Sequence, residues 1–206
     1  MKSHKYFITG IGTGVGKTLI ATILTEFLQA DYWKPIQSGD LHNSDSRFIT
    51  KHLSNNKSKI HPETYKLNTP LSPHASAKLD NIYIEMNAIQ LPATTNHLIV
   101  EGAGGLFVPL NQEYFIIDLI KKLDIPVILV CQNYLGSINH SILSIEALNK
   151  FHIQIAGIIF NGESNPESEI IITQHAKAPI IGHIPILPSI TKQTIQEAGK
   201  HINWKL

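Results

Sequence analysis

Tyr6-Phe7-Ile8-Thr9-Gly10-Ile11-Gly12-Thr13-Gly14-Val15-Gly16-Lys17-Thr18 passes from an apolar run, through alternating glycines, to a Lys-Thr pair. Residues 6–9 read as a strand, and a helical pattern follows from 17 to about 29. Glycines let the intervening backbone curl so that successive N–H groups point inward at an anion. The start of the helix adds unsatisfied N–H groups and the positive end of its dipole. Lys17 in this register reaches the β and γ phosphates of a nucleotide, and the Thr18 hydroxyl can ligate magnesium. Five residues separate Gly10 from Gly16, so the loop is one residue longer than the usual phosphate cradle. No register of these glycines fits the G-x-G-x-x-G dinucleotide fingerprint, in which a Lys-Thr pair has no role. A plain glycine-rich turn would not need strand, glycines, Gly-Lys-Thr and helix in this order.

Outward from that loop, short apolar runs alternate with helical stretches. Residues 32–34 read as a second strand and 44–53 as a helix opened by a Ser/Asp cap. Strands follow at 98–100, 126–130, 155–160 and 180–184, separated by helices at 116–123, 137–151 and 166–176. Runs that are apolar at every position belong to strands covered on both faces. Strands alternating with helices of this length imply right-handed crossovers and a parallel sheet. The expected fold class is therefore α/β, with a mostly parallel central sheet between two helical layers, the three-layer P-loop NTPase arrangement. The segment 54–92, broken by four prolines, is expected to form loops and short helices over the sheet. A single nucleotide-binding domain over residues 1–206 is expected.

Composition narrows the function classes. With 206 residues, 43% of them hydrophobic and 16% charged, the chain can bury a core without disulfides. A net charge of +1 gives no electrostatic footprint for nucleic acid or an anionic membrane. The basic stretches Lys57-Ser58-Lys59 and Lys121-Lys122 are short enough to be solvated surface. No run approaches the roughly 18 apolar residues of a membrane helix, and residues 1–5 hold no apolar signal core, so a cytoplasmic location is expected. The single cysteine, Cys131, follows an apolar run and reads as a packing thiol. No two of the 11 histidines have the i, i+4 spacing of a helical zinc pair.

Three further residues carry candidate chemistry. Glu101 ends the 98–100 strand and precedes Gly102-Ala103-Gly104-Gly105, at the carboxyl edge where open α/β sheets bind ligands. Its carboxylate suits magnesium, a hard cation that takes oxygen ligands. Asp45 begins a helix, where it reads either as a second magnesium ligand or as a carboxylate stabilised by the helix dipole. Lys34, extended by the following Pro35, reads either as a surface lysine or as a cation that neutralises a transferring phosphoryl group.

The motifs also match a family. In order and spacing, the long loop ending Gly16-Lys17-Thr18, Trp33-Lys34-Pro35 with Ser38-Gly39, Asn43-Ser44-Asp45, Ser72-Pro73-His74, the run from Val100 through Gly105, and Leu135-Gly136-Ser137-Ile138-Asn139-His140 resemble dethiobiotin synthetase. The similarity extends from Tyr6 to at least Pro185. It implies a magnesium-dependent ligase that makes dethiobiotin, ADP and phosphate from diaminopelargonic acid, carbon dioxide and ATP. Lys17, Lys34 and Thr13 are then the catalytic residues, with Thr13 beside the carbamate. Gly14, Val15, Gly16, Lys17, Thr18, Leu19, Asp45, Glu101, Gly102, Ala103 and Gly104 take up ATP, with Thr18, Asp45 and Glu101 holding magnesium. Asn161, Ile184 and Pro185 belong to the adenine pocket. Ser38 contacts the diamine. The family is a homodimer, and the substrate carboxylate is held by Gly136, Ser137, Ile138 and Asn139 of the partner subunit. Gly12, Gly14 and Tyr134 depart from the pattern: relatives often carry acidic residues at the first two positions and a basic one at the third. The competing reading is a partition- or switch-type P-loop ATPase. Such proteins carry a lysine early in the loop, where this chain has Gly12, and a basic surface that this chain lacks.

Overall fold

The computed structural model describes residues 3–203. Its centre is a seven-stranded sheet. In chain order the strands of that sheet and their helices begin with β1 (Lys5–Gly10), α1 (Lys17–Leu28) and β2 (Asp31–Trp33). A short strand β3 (Ile36–Ser38) lies outside the main sheet, and α2 (Asp45–His52), β4 (Ile60–His61), β5 (Tyr65–Leu67) and α3 (Pro73–Leu79) follow. The second half runs β6 (Leu98–Glu101), α4 (Ile116–Leu123), β7 (Val127–Cys131), α5 (Ser137–Lys150), β8 (Ile155–Asn161), α6 (Pro166–Ala176), β9 (Ile180–Ile184) and α7 (Lys192–Gly199). The spatial order is β4-β2-β6-β1-β7-β8-β9, and each pairing of these strands is parallel.

Successive strand residues point to opposite faces, and here each face has its own apolar layer. Phe7, Leu98, Val100, Val127, Leu129 and Cys131 pack toward α4 and α5. Tyr6, Ile8, Ile99, Ile128 and Val130 pack toward α1 and α7. Neither face of the central strands is left for water, which is why their sequences are apolar at consecutive positions rather than alternating. Cys131 is fully buried in β7, where desolvation raises its thiol to about 12, so it serves as packing.

Several boundaries differ from the sequence reading. Helix α1 stops at Leu28 because Gln29 turns left-handed (φ 51°) and its N–H bonds back to the Glu26 and Thr25 carbonyls. The second strand covers Asp31–Trp33, leaving Lys34 just beyond its end. Segment 54–92 contains two short strands that were not expected. β4 extends the main sheet beyond β2, and β5 pairs with β3 in a two-stranded ribbon. At two and three residues they are too short to show a period of their own. Helix α7, capped reciprocally by Thr191 and Thr194, was also not foreseen, and it covers α1 with Ile195 and Ala198. Among the described residues, no helix is long and apolar enough to cross a membrane.

The amino edge of the sheet is tied by one carboxylate. Asp31, almost fully buried, accepts from the Lys59 N–H (3.0 Å), His61 Nε2 (3.0 Å), Thr94 Oγ1 (2.8 Å) and Asn96 Nδ2 (3.1 Å). It thereby joins β2 to β4 and to the chain entering β6. Burial alone would raise its pKa, but these hydrogen bonds outweigh that and hold it below the ordinary carboxylate value. A lowered pKa contributes stability that is complete above the unfolded value and lost as pH falls through the native one. Asp31→Asn should therefore cost about 1–3 kcal/mol at neutral pH. The gap to the wild type should close progressively below about pH 4, as the native aspartate itself takes up a proton. Urea unfolding at a series of pH values measures this, and a gap independent of pH would contradict it.

Candidate active site

The glycine-rich loop leaves the carboxyl end of β1 and enters α1 through Gly16, whose φ of 93° is left-handed. A side chain at Gly16 would be excluded twice. Its backbone is in a region that favours glycine, and an added Cβ would lie 2.1 Å from Asn161 Nδ2. Asn161, the last residue of β8, donates from that amide to the Val15 carbonyl at 3.1 Å. The loop is thus braced from the end of β8, two strands along the sheet from β1. Lys17 opens α1 nearly buried, and its Nζ donates to the Gly12 carbonyl at 2.8 Å. This fixes the ammonium over the loop rather than in solvent. Desolvation lowers its pKa to about 8. The Lys34 charge acts in the same direction, while the Glu101 and Asp45 carboxylates oppose it.

Beside the loop lies a compact charged cluster centred on Glu101, which is 1% exposed. Thr18 Oγ1 donates to Glu101 Oε1 at 2.8 Å, and the Tyr32 hydroxyl donates to Glu101 Oε2 at 2.7 Å. Lys34 Nζ contacts Glu101 Oε1 at 3.3 Å and also bonds Asp45 Oδ2. Burial alone would lower the Lys34 pKa, but the two carboxylates overcome it and hold the ammonium above its ordinary value. Asp45 is set at the first turn of α2 by Ser44, whose side chain accepts from the Arg47 N–H, and by its own N–H bonding Gln37 Oε1 at 3.3 Å. Four segments, α1, β2 with its exit, α2 and β6, therefore meet at one point.

Tyr32 was not singled out from the sequence. Its role depends on β2 lying parallel to β6, with Tyr32 opposite Ile99, which puts the phenol within reach of the carboxylate two residues further along. That register is a long-range fact with no local signature. Burial raises the phenol's pKa well above the usual value, and the negative charge of Glu101 adds to the effect, so the group remains a proton donor.

The cluster also fits magnesium. A hydroxyl and two carboxylates are hard oxygen donors, and the two carboxylates already hold one cation, the Lys34 ammonium, with the Thr18 hydroxyl bonded to one of them. Among the described residues no group of three or more His, Cys, Asp or Glu side chains has metal-binding geometry. A site of this composition leaves most of the coordination shell to water and phosphate oxygens, as magnesium prefers.

The remaining candidates are distributed around this centre. The loop after β6, which includes Gly102, Ala103 and Gly104, runs against the phosphate loop: a Cβ on Gly104 would sit 3.5 Å from Thr13 Oγ1. Thr13 itself is exposed and lines a cleft of about 330 Å³ with Gly12, Gly105, Phe107, His140 and Leu143. Gly14 lies in the loop in an open, left-handed conformation, Val15 is buried beneath it, and Leu19 is half-buried on α1. Ser38 ends β3 with a buried hydroxyl that has no hydrogen-bond partner among the described residues. Ile184 pairs with Asn161 across β8 and β9, and exposed Pro185 follows it. Gly136, Ser137, Ile138 and Asn139 are not brought to the charged cluster of their own chain. They form the start of α5, where Gly136, Ile138 and Asn139 line a separate cleft of about 700 Å³ that also borders Ser164 and Asn165.

Comparison with known proteins follows the same lines. A family model described as an AAA domain matches residues 4–194. The ATP-dependent dethiobiotin synthetase of Christiangramia forsetii is 48% identical over 201 residues, covering 98% of this chain and 97% of that protein. That of Cytophaga hutchinsonii is 49% identical over 203 residues, covering 97% and 98%. Among solved structures, a ParA family ATPase from Chlorobium tepidum superposes with a TM-score of 0.60 at 14% identity, covering 97% of this chain and 100% of that one. The MinD-containing cell division complex of Aquifex aeolicus gives a TM-score of 0.58 at 16% identity, covering 96% and 94%. At such low identity these structural likenesses concern the fold alone.

The bracing of the loop leads to a direct expectation. Gly16→Ala should weaken ATP binding by at least about tenfold through backbone strain and the clash with Asn161. Circular dichroism should stay native, because the apolar layers are untouched. Nucleotide titration decides it, and wild-type affinity in a folded variant would contradict the described loop geometry.

Proposed function

The chain belongs to the dethiobiotin synthetase family, and from this premise we propose that it closes the ureido ring of dethiobiotin from diaminopelargonic acid, carbon dioxide and ATP, releasing ADP and phosphate. The observation that carries the reading is the convergence of Lys17, Thr18, Lys34, Asp45 and Glu101 beside a phosphate-cradling loop. Phosphoryl transfer asks a protein for positioning and charge neutralisation rather than covalent participation, and this cluster offers both.

In the proposed sequence, one amine of the substrate adds to carbon dioxide and gives a carbamate. A carbamate oxygen then attacks the γ-phosphorus, and ADP leaves. The second amine attacks the carbonyl carbon of the resulting mixed anhydride, the ring closes and phosphate departs. Lys17 and Lys34 supply fixed positive charge to oxygens on which negative charge accumulates in transfer. Lys34 is suited to this because its two carboxylate partners keep it protonated despite burial. The loop N–H groups from Gly14 to Thr18 orient the phosphates, with Leu19 behind them on α1. Thr13 is exposed beside Gly104, which supports a role for it next to the carbamate. The residues that would hold magnesium are Thr18, Asp45 and Glu101, and the ion would neutralise charge on the nucleotide phosphates. Gly102, Ala103 and Gly104 border the nucleotide, and Asn161, Ile184 and Pro185 take the adenine.

Substrate placement extends the proposal. The buried hydroxyl of Ser38, which has no hydrogen-bond partner among the described residues, supports its role at the diamine end, since such groups are ordinarily hydrogen-bonded. Phe107, Leu135, Ile138 and Leu143 are all exposed, Leu135 completely, around the two clefts. Exposed apolar groups gathered at clefts support a homodimer that buries them. In that dimer, Gly136, Ser137, Ile138 and Asn139 of the partner subunit would receive the substrate carboxylate at a helix N-terminus. We read residues 1–206 as one nucleotide-binding domain, acting on small molecules.

Purified protein supplied with MgATP and bicarbonate should release ADP only when diaminopelargonic acid is added, with dethiobiotin appearing in equal amount. Lys17→Ala and Lys34→Ala should each lower kcat by about a thousandfold in folded protein. Diamine-independent ATP hydrolysis at the same rate would overturn the reading in favour of a switch-type ATPase.

A further inference from the structure

Away from the charged cluster, one carboxylate gathers more donors than any role so far assigned requires. Glu169, in the first turn of α6, is largely buried, with 12% of its side chain exposed. Its Oε1 accepts from Asn133 Nδ2 (2.8 Å), the Asn165 N–H (2.9 Å), Ser164 Oγ (3.1 Å) and His183 Nε2 (3.2 Å). Burial alone would raise its pKa, but these bonds outweigh it and lower the value, keeping the group ionised. Charge-assisted hydrogen bonds are roughly twice as strong as neutral ones, and a carboxylate near a helix start is further favoured by the dipole.

The donors come from three different segments. Asn133 lies in the turn between β7 and α5, three residues before Gly136, and its amide also bonds the Glu163 carbonyl at 3.0 Å. Ser164 and Asn165 lie in the turn after β8, just beyond Asn161. His183 is in β9, next to Ile184. Two of these segments carry the proposed adenine contacts, and the third carries the proposed carboxylate-holding turn. All are braced on the same oxygen.

We infer that Glu169 is a positioning residue that couples the nucleotide base pocket to the turn at the start of α5, so that ordering one orders the other. The inference rests on the site assignments made under the proposed function. In a homodimer, this link would carry the state of one protomer's nucleotide to the diamine bound against the partner. Such coupling is reciprocal: ATP strengthens diamine binding by the same factor by which the diamine strengthens ATP binding.

The test compares the wild type with Glu169→Gln, which keeps the shape but removes the charge, and with His183→Ala, which removes one donor. Hydrogen exchange of residues 133–139 is followed with and without a non-hydrolysable ATP analogue and magnesium. In the wild type, the analogue should slow exchange in this segment by about fivefold or more. In Glu169→Gln that nucleotide-dependent protection should disappear, and in His183→Ala it should be intermediate. KM for ATP and for the diamine should both rise about tenfold in Glu169→Gln, with kcat within about threefold. A merely structural role would speed exchange equally with and without nucleotide. That result, or an effect on only one KM, would overturn the inference. The exchange experiment requires no turnover, so absence of diamine-dependent ADP release from the wild type would strike the proposed reaction alone.

Discussion

A carboxylate almost removed from water must be neutralised and hydrogen-bonded, or it will not stay ionised. Glu101 meets that demand with the Thr18 hydroxyl, the Tyr32 phenol and the Lys34 ammonium, drawn from α1, β2 and the residue after it. The arrangement depends on the sheet order. β6 lies between β2 and β1, so residues at the carboxyl ends of these strands fall around one point. Asp45 then enters from α2 to share the lysine, and Lys17 enters from the first position of α1. Removing any one partner would leave a buried charge with less compensation. The cluster is therefore a condition of the local fold as much as a piece of chemistry.

The same point explains why the cluster suits phosphoryl transfer. Positive groups fixed in a desolvated edge cost no reorganisation when charge builds on a transferring phosphoryl group. Lys17 and Lys34 are buried for different reasons and with different consequences. Lys17 loses hydration with only partial compensation, so its pKa falls to about 8, whereas Lys34 sits between two carboxylates and is held protonated more firmly than in water. A pair with this asymmetry offers one cation stabilised before the nucleotide arrives and one that gains most from the phosphates themselves.

Much of the frame was legible in the sequence, because its signals are local. Strand, glycines and Gly-Lys-Thr in succession identify the cradle, and the consecutive apolar residues of β6, β7 and β8 announce a sheet covered on both faces. Glu101 could be marked because a glycine cluster follows it. Asp45 and Lys34 could not be separated from a helix-end charge and a surface lysine, since what distinguishes them is contact with each other and with Glu101 across 11 and 67 residues of chain. Tyr32 depends on strand register and Glu169 on three loops meeting, neither of which a single sequence displays. The short strands β4 and β5 exist because longer elements hold them, not by their own propensity.

The central claim is that this cluster transfers a phosphoryl group to a carbamate oxygen. It is tested most directly by running the reaction with bicarbonate and carbon dioxide uniformly labelled with oxygen-18 and analysing both products by mass spectrometry. Attack by the carbamate oxygen, followed by ring closure at carbon, places one labelled oxygen in the released phosphate and one in the ureido carbonyl. Phosphate that carries no label while dethiobiotin accumulates would contradict the account, because the phosphoryl group would then have passed to some acceptor other than the carbamate.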